Sequence, residues 1–97
     1  KLKNMNTRKF KIICDGQFIG FIFISDNNPR FPNCIVATIS PFESRGNWNE
    51  GDLELVGQRT ITDIYDTNTT DNEIQNDLLN RANINREECN NFQIINY

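Results

Sequence analysis

An α+β fold, a small antiparallel sheet of four to six strands with one main helix packed on one face, follows from three features of this 97-residue sequence. An Asp15-Gly16 pair separates two runs of alternating apolar residues. A Thr70-Asp-Asn-Glu73 capping box opens an apolar stripe of helical period. Short apolar runs bounded by turn residues fill much of the remainder. A chain of this length forms a single domain, residues 1–97, with a core of two layers at most.

Residues 1–7 are polar and read as a flexible lead-in. From Lys9 to Asp15 apolar side chains alternate with charge, and Asp15-Gly16 suits a two-residue turn because both residues tolerate positive φ. With that turn and no irregularity, Cys14 faces Gln17, Ile12 faces Ile19 and Phe10 faces Phe21. One face of the hairpin then collects Phe10, Ile12, Cys14, Ile19, Phe21 and Phe23. The other holds Lys9, Lys11, Ile13, Phe18, Gly20, Ile22 and Ile24.

This register bears on function. A Gly-Phe-x-Phe run such as Gly20-Phe21-Ile22-Phe23 can carry exposed rings on which bases stack, but such rings share a face with basic residues. Here the register sets Phe21 and Phe23 opposite to Lys9 and Lys11, so the rings read as core.

Asp26 to Asn33, with two prolines and three asparagines, is a loop. Cys34 to Ser40 is a buried strand that Pro41 ends. Phe42 to Asp52 is irregular and holds the single tryptophan, Trp48. Leu53 to Val56 and Thr60 to Tyr65 are further strand candidates. The helix begins after Thr70 and runs from Asp71 to about Ala82, with Ile74, Leu78, Leu79 and Ala82 as its apolar stripe. Ile74 and Leu78 are expected to pack over Phe10, Ile12, Ile19 and Phe21. Asn85 to Glu88 repeats the capping pattern and predicts one short helical turn, and Phe92 to Tyr97 is the last strand.

Three cysteines, widely spaced and without any histidine, offer no zinc site and no base for a catalytic thiol. Cys14, on the apolar face, reads as a small buried hydrophobe. Asp66-Thr-Asn68-Thr-Thr70 starts like a calcium loop, but Asp71 and Ile74 occupy positions where the loop needs glycine and a ligand. With no glycine-rich phosphate loop either, no metal or cofactor is expected. An apolar run long enough to span a bilayer or to form a signal peptide is lacking, which together with the odd cysteine count predicts a reducing, cytoplasmic setting.

Charge is unevenly placed. Residues 1–40 carry six cations against Asp15 and Asp26, whereas residues 41–97 carry eleven acids against four arginines. An acidic field repels nucleic acid and attracts basic partners. Trp48, flanked by Glu43, Glu50, Asp52 and Glu54, has the composition of an aromatic anchor in acidic surroundings, with Asp63 and Asp66 extending the acidic surface. The expected function is therefore a noncatalytic protein-binding module. Its most concrete form is a small acidic inhibitor of the immunity-protein or antitoxin type, which occludes a basic protein partner such as a nuclease toxin. Two alternatives come from other classes: a nucleic-acid-binding domain using the basic hairpin edge at Arg8, Lys9 and Lys11, and a small enzyme with a carboxylate site at Glu50, Asp52 or Asp63.

Overall fold

The computed structural model describes residues 6–41 and 60–97. In chain order the elements are β1 (Asn6–Cys14), β2 (Gln17–Asp26), β3 (Cys34–Pro41), β4 (Ile61–Asp66), α1 (Asp71–Arg81), a 3₁₀ turn (Arg86–Glu88) and β5 (Phe92–Asn96). Among the described residues five strands form one antiparallel sheet in the order β4-β3-β2-β1-β5, with α1 against it. The small α+β architecture read from the sequence is the one observed. Of the expected elements, the Leu53 to Val56 strand lies outside the described residues.

Local signals place most boundaries. Asp15 and Gly16 turn the chain at φ of 50° and 80°, the pair of positive values that a tight hairpin needs. Thr70 caps α1 by accepting from the Glu73 amide at 3.2 Å, while Glu73 returns by accepting from the Thr70 amide at 3.1 Å. Asn85 caps the 3₁₀ turn in the same manner, through the Glu87 amide at 3.0 Å. The expected lead-in is shorter than the sequence suggested, because Asn6 and Thr7 already pair with Asp26 and Ser25 at the start of β1.

The hairpin departs from the expected register, and the departure inverts β2. Phe10 pairs with Ile22, Lys11 with Phe21 and Ile12 with Gly20, after which the ladder slips so that Ile13 pairs with Phe18 and Ile19 is left over as a bulge. One extra residue moves every later side chain of β2 to the other face. The face under α1 therefore carries Phe10, Ile12, Ile22, Ile24, Ile35, Ala37 and Ile39, closed by Ile74, Leu78, Leu79 and Ala82 from the helix end of the chain. Phe10, Ile12, Ile74 and Leu78 are where the sequence put them, and Ile19 packs at the margin of this core. Phe21 and Phe23 are not in it: they share the opposite face with Lys9 and Lys11.

Gly20 explains the slip. A β-carbon built there would lie 2.8 Å from the Ser40 carbonyl oxygen and 3.0 Å from the Pro41 Cα, both backbone atoms of β3. Only glycine fits so close an approach, so Gly20 sits where β3 presses on β2, and the bulge at Ile19 brings it there.

Arg8 fixes how α1 meets the sheet. Its guanidinium donates to both carboxylate oxygens of Asp71 at 2.7 and 2.8 Å and to those of Asp26 at 2.7 and 3.3 Å. The first turn of the helix is thereby tied to the open end of the β1–β2 hairpin, and the two carboxylates hold the Arg8 proton more firmly than water would. At the other end of α1, Arg81 pairs with Asp63 on β4, and the Tyr65 hydroxyl donates to Asp77 at 2.6 Å.

Candidate functional site

Two regions hold chemistry beyond the core: the sheet face away from α1, and the acid-rich elements β4, α1 and the 3₁₀ turn. Strand alternation builds the first. Lys9, Lys11, Phe21, Phe23, Val36 and Ile64 point to the same side, and β5 adds Ile95 and Tyr97 at its margin. Phe21 is the hub. Its ring meets Phe18 edge-on at 4.7 Å, stacks with Phe23 at 5.7 Å and lies 5.8 Å from Tyr97 between centroids. The Lys11 ammonium lies 5.3 Å from the Phe18 ring and 5.1 Å from that of Tyr97, within cation–π range of both. Lys11, Phe18 and Phe21 each make further contacts beyond these, so the cluster is a packed assembly. Ile64, Ile95 and Tyr97 are the exposed large hydrophobic side chains of this face.

The second region is acidic. From residue 60 to residue 97 there are seven acids (Asp63, Asp66, Asp71, Glu73, Asp77, Glu87, Glu88) and two arginines, whereas residues 6–41 carry four cations and two acids. Most of these carboxylates have internal work. Asp63 accepts from the Ile64 amide and from Arg81, which in that order hold its pKa below the ordinary carboxylate value. Asp66 accepts from the Asn68 amide at 3.0 Å and shapes the turn into α1. Asp71 holds Arg8, Glu73 completes the helix cap and Asp77 receives Tyr65. The Thr70 amide and hydroxyl likewise hold Glu73 below its usual range.

Of the expected partner-binding residues, Glu43, Trp48, Glu50, Asp52 and Glu54 lie outside the described residues. Asp63 and Asp66 lie on β4, an edge strand among the described elements, on opposite faces of the sheet. They are not brought together. Arg8, expected on a basic hairpin edge, is committed to Asp26 and Asp71 on the helix side, and β1 is not an edge, since β2 and β5 flank it; Lys9 and Lys11 lie on the sheet face away from α1. A polar groove of about 620 Å³ opens beside the end of α1, over Leu79 and Ile84, with Asn76, Asn80, Asn83 and Arg86 around it. Asp63 is not part of its lining.

A covalent feature replaces the expected buried thiol. Cys14 and Cys89 form a disulfide with their Cα atoms 5.5 Å apart, and Cys34 on β3 is the free cysteine. Spacing alone cannot pair residues 75 positions apart, so from the sequence Cys14 reads as a small hydrophobe. The pairing arises because β5 returns beside β1, setting Cys14 opposite Phe92, just beyond Cys89. Disulfides persist in oxidising surroundings, so the bond removes the ground on which a reducing setting was expected. No helix among the described residues is long and apolar enough to cross a membrane. No family model, curated protein or solved structure matches the chain.

Proposed function

We propose that the chain is a noncatalytic protein-binding module, a small acidic inhibitor that occludes a basic protein partner, as immunity proteins and antitoxins occlude nuclease toxins. The observation that carries this reading is the acidic bias of residues 60–97, seven acids against two arginines, on a chain of net charge −3. Asp71 is ion-paired with Arg8, and Asp63 and Asp77 with Arg81, so the field rests mainly on Asp66, Glu73, Glu87 and Glu88, and a field of one sign speeds encounter with the opposite sign. Trp48 would supply the anchor, and Glu43, Glu50, Asp52 and Glu54 would add to the same field. The Cys14–Cys89 bond favours an oxidising compartment over the cytoplasm for this work.

The test is capture of partners from the source cell, followed by association rates at rising salt. A basic partner whose association slows with salt supports the proposal. An acidic partner, or a rate indifferent to salt, overturns it.

One observation favours a second reading. The bulge at Ile19 sets Phe21 and Phe23 beside Lys9 and Lys11, the grouping that a base-stacking sheet requires. Against it stand the net charge and the use of the Lys11 ammonium over Phe18 and Tyr97. Retention of the protein on single-stranded RNA at physiological salt would favour this reading over the first.

A further inference from the structure

The strand β5 differs from the other four in how it is held. It forms one edge of the sheet among the described elements and pairs with β1 over residues 92 to 96. None of its side chains is fully buried: Phe92 and Ile94 are half-covered at the margin of the core, and Gln93, Ile95 and Asn96 are exposed. A strand with so little buried apolar area opens at low free energy unless something else restrains it. Cys14–Cys89 is placed to do so. It joins the last residue of β1 to the segment that leads into β5, beside the bonds from the Asp15 amide to the Asn91 carbonyl at 2.8 Å and from the Asn91 amide to the Asp15 carboxylate at 2.7 Å.

We propose that this disulfide is a redox latch on the C-terminal strand: when it is reduced, the chain after the 3₁₀ turn leaves β1, and the rest of the fold stays formed. Both sulfurs belong to residues that are only partly buried. Cys34 cannot serve as the attacking thiol, since it lies on β3, two strands from β1, and points to the opposite side of the sheet from Cys14. The reductant is therefore an external dithiol. One of its thiolates attacks a sulfur of the pair and forms a mixed disulfide, and its second thiol displaces the protein sulfur. The dithiol ends as a disulfide, and Cys14 and Cys89 take up the two electrons and two protons as thiols.

Release has two results. Tyr97, whose amide donates to the Lys9 carbonyl at 3.0 Å and whose ring lies against Phe21, departs with β5, so the aromatic cluster loses one wall. The edge of β1 from Phe10 to Cys14 becomes an unpaired strand able to accept another. The latch thus alters the aromatic face whatever partner the protein has.

Amide hydrogen exchange, followed residue by residue with and without a dithiol reductant, tests the proposal. The expected result is that reduction speeds exchange in β5 and along the β5-facing edge of β1 by at least about tenfold, while β2, β3 and α1 keep their protection. A Cys14→Ser, Cys89→Ser double variant should reproduce that pattern without reductant. Undiminished protection of β5 after both thiols are free would show that pairing alone holds it. Equal loss of protection in β2, β3 and α1 would show that the strand is not separable. A bond that resists the dithiol in the folded protein would also overturn the latch.

Discussion

The two faces of the sheet are apolar in different ways. Under α1 the strands supply mostly branched aliphatic side chains, and Ile12, Ile22, Ile24 and Ile39 are wholly removed from water. Away from α1 they supply phenylalanines, a tyrosine, threonines and two lysines beside Val36, Ile64 and Ile95, half-buried or exposed. Aliphatic chains interdigitate closely with a helix, whereas flat rings pack on one another and leave edges for cations. Within β2, which is apolar on both sides, the covered face carries Ile22 and Ile24 and the other carries Phe21 and Phe23.

Substitutions on the two sides of β2 should separate the faces, beginning with the covered one. Ile22→Ala removes a fully enclosed side chain and should cost about 3–4 kcal/mol of unfolding free energy in urea, as for other aliphatic truncations in cores. Gly20→Ala forces a methyl group against the β3 backbone, and about 2–3 kcal/mol is expected from the overpacking. Phe21→Ala, on the other face, should cost less, about 1–2 kcal/mol, because the ring is only partly covered. A loss at Phe21 larger than at Ile22 would break the comparison.

Two phenols sharpen it, one on each face. Burial, and then the hydrogen bond to Asp77, push Tyr65 on the helix side up to about 12 from 10.0. Partial burial raises Tyr97 as well, opposed by Lys11. A phenol whose folded pKa lies above its unfolded value contributes stability that is complete below pH 10.0 and is lost as pH rises toward about 12. Tyr65→Phe should flatten that alkaline decline more than Tyr97→Phe, as measured by denaturation across this range. Equal effects would mean that the two faces desolvate a hydroxyl alike. The smallest effect is expected at Glu73, whose folded pKa is depressed from 4.5 by the helix cap. Its contribution is present above that value and fades as pH falls through the lower folded one, so Glu73→Gln should make the acid limb of the stability curve slightly shallower.

The elements that local chemistry determines were legible: the Asp15-Gly16 turn, the Thr70 and Asn85 caps and the apolar stripe of α1. The face of Phe21 was not. It depends on Gly20 meeting the backbone of β3, a contact with a third strand that no pairing of β1 with β2 alone reveals. In β1 the lysines mark the outer side, but β2 has no charge between Gln17 and Asp26 to mark either. The disulfide was hidden for a related reason, since it depends on β5 joining β1 across the whole length of the chain. Of the candidate site, the acidic bias was readable from composition, but not the internal use of Asp63 by Arg81 and of Arg8 by two aspartates, which only the packing of α1 creates.

The strand order also sets a sequence of events during folding. β1, β2 and β3 are neighbours both along the chain and in the sheet, so they can assemble early, whereas β5 must wait for a contact between residues 75 apart, such as Cys14 and Cys89. In an unfolded chain Cys14 meets Cys34 more readily than Cys89, because closing the shorter loop costs about 1 kcal/mol less. Early oxidation therefore favours the wrong pair, and only the finished sheet, with Cys34 held two strands away, reverses the preference. The native bond is then a record that the last strand has docked, and a population carrying Cys14–Cys34 instead would identify molecules that oxidised before β5 arrived.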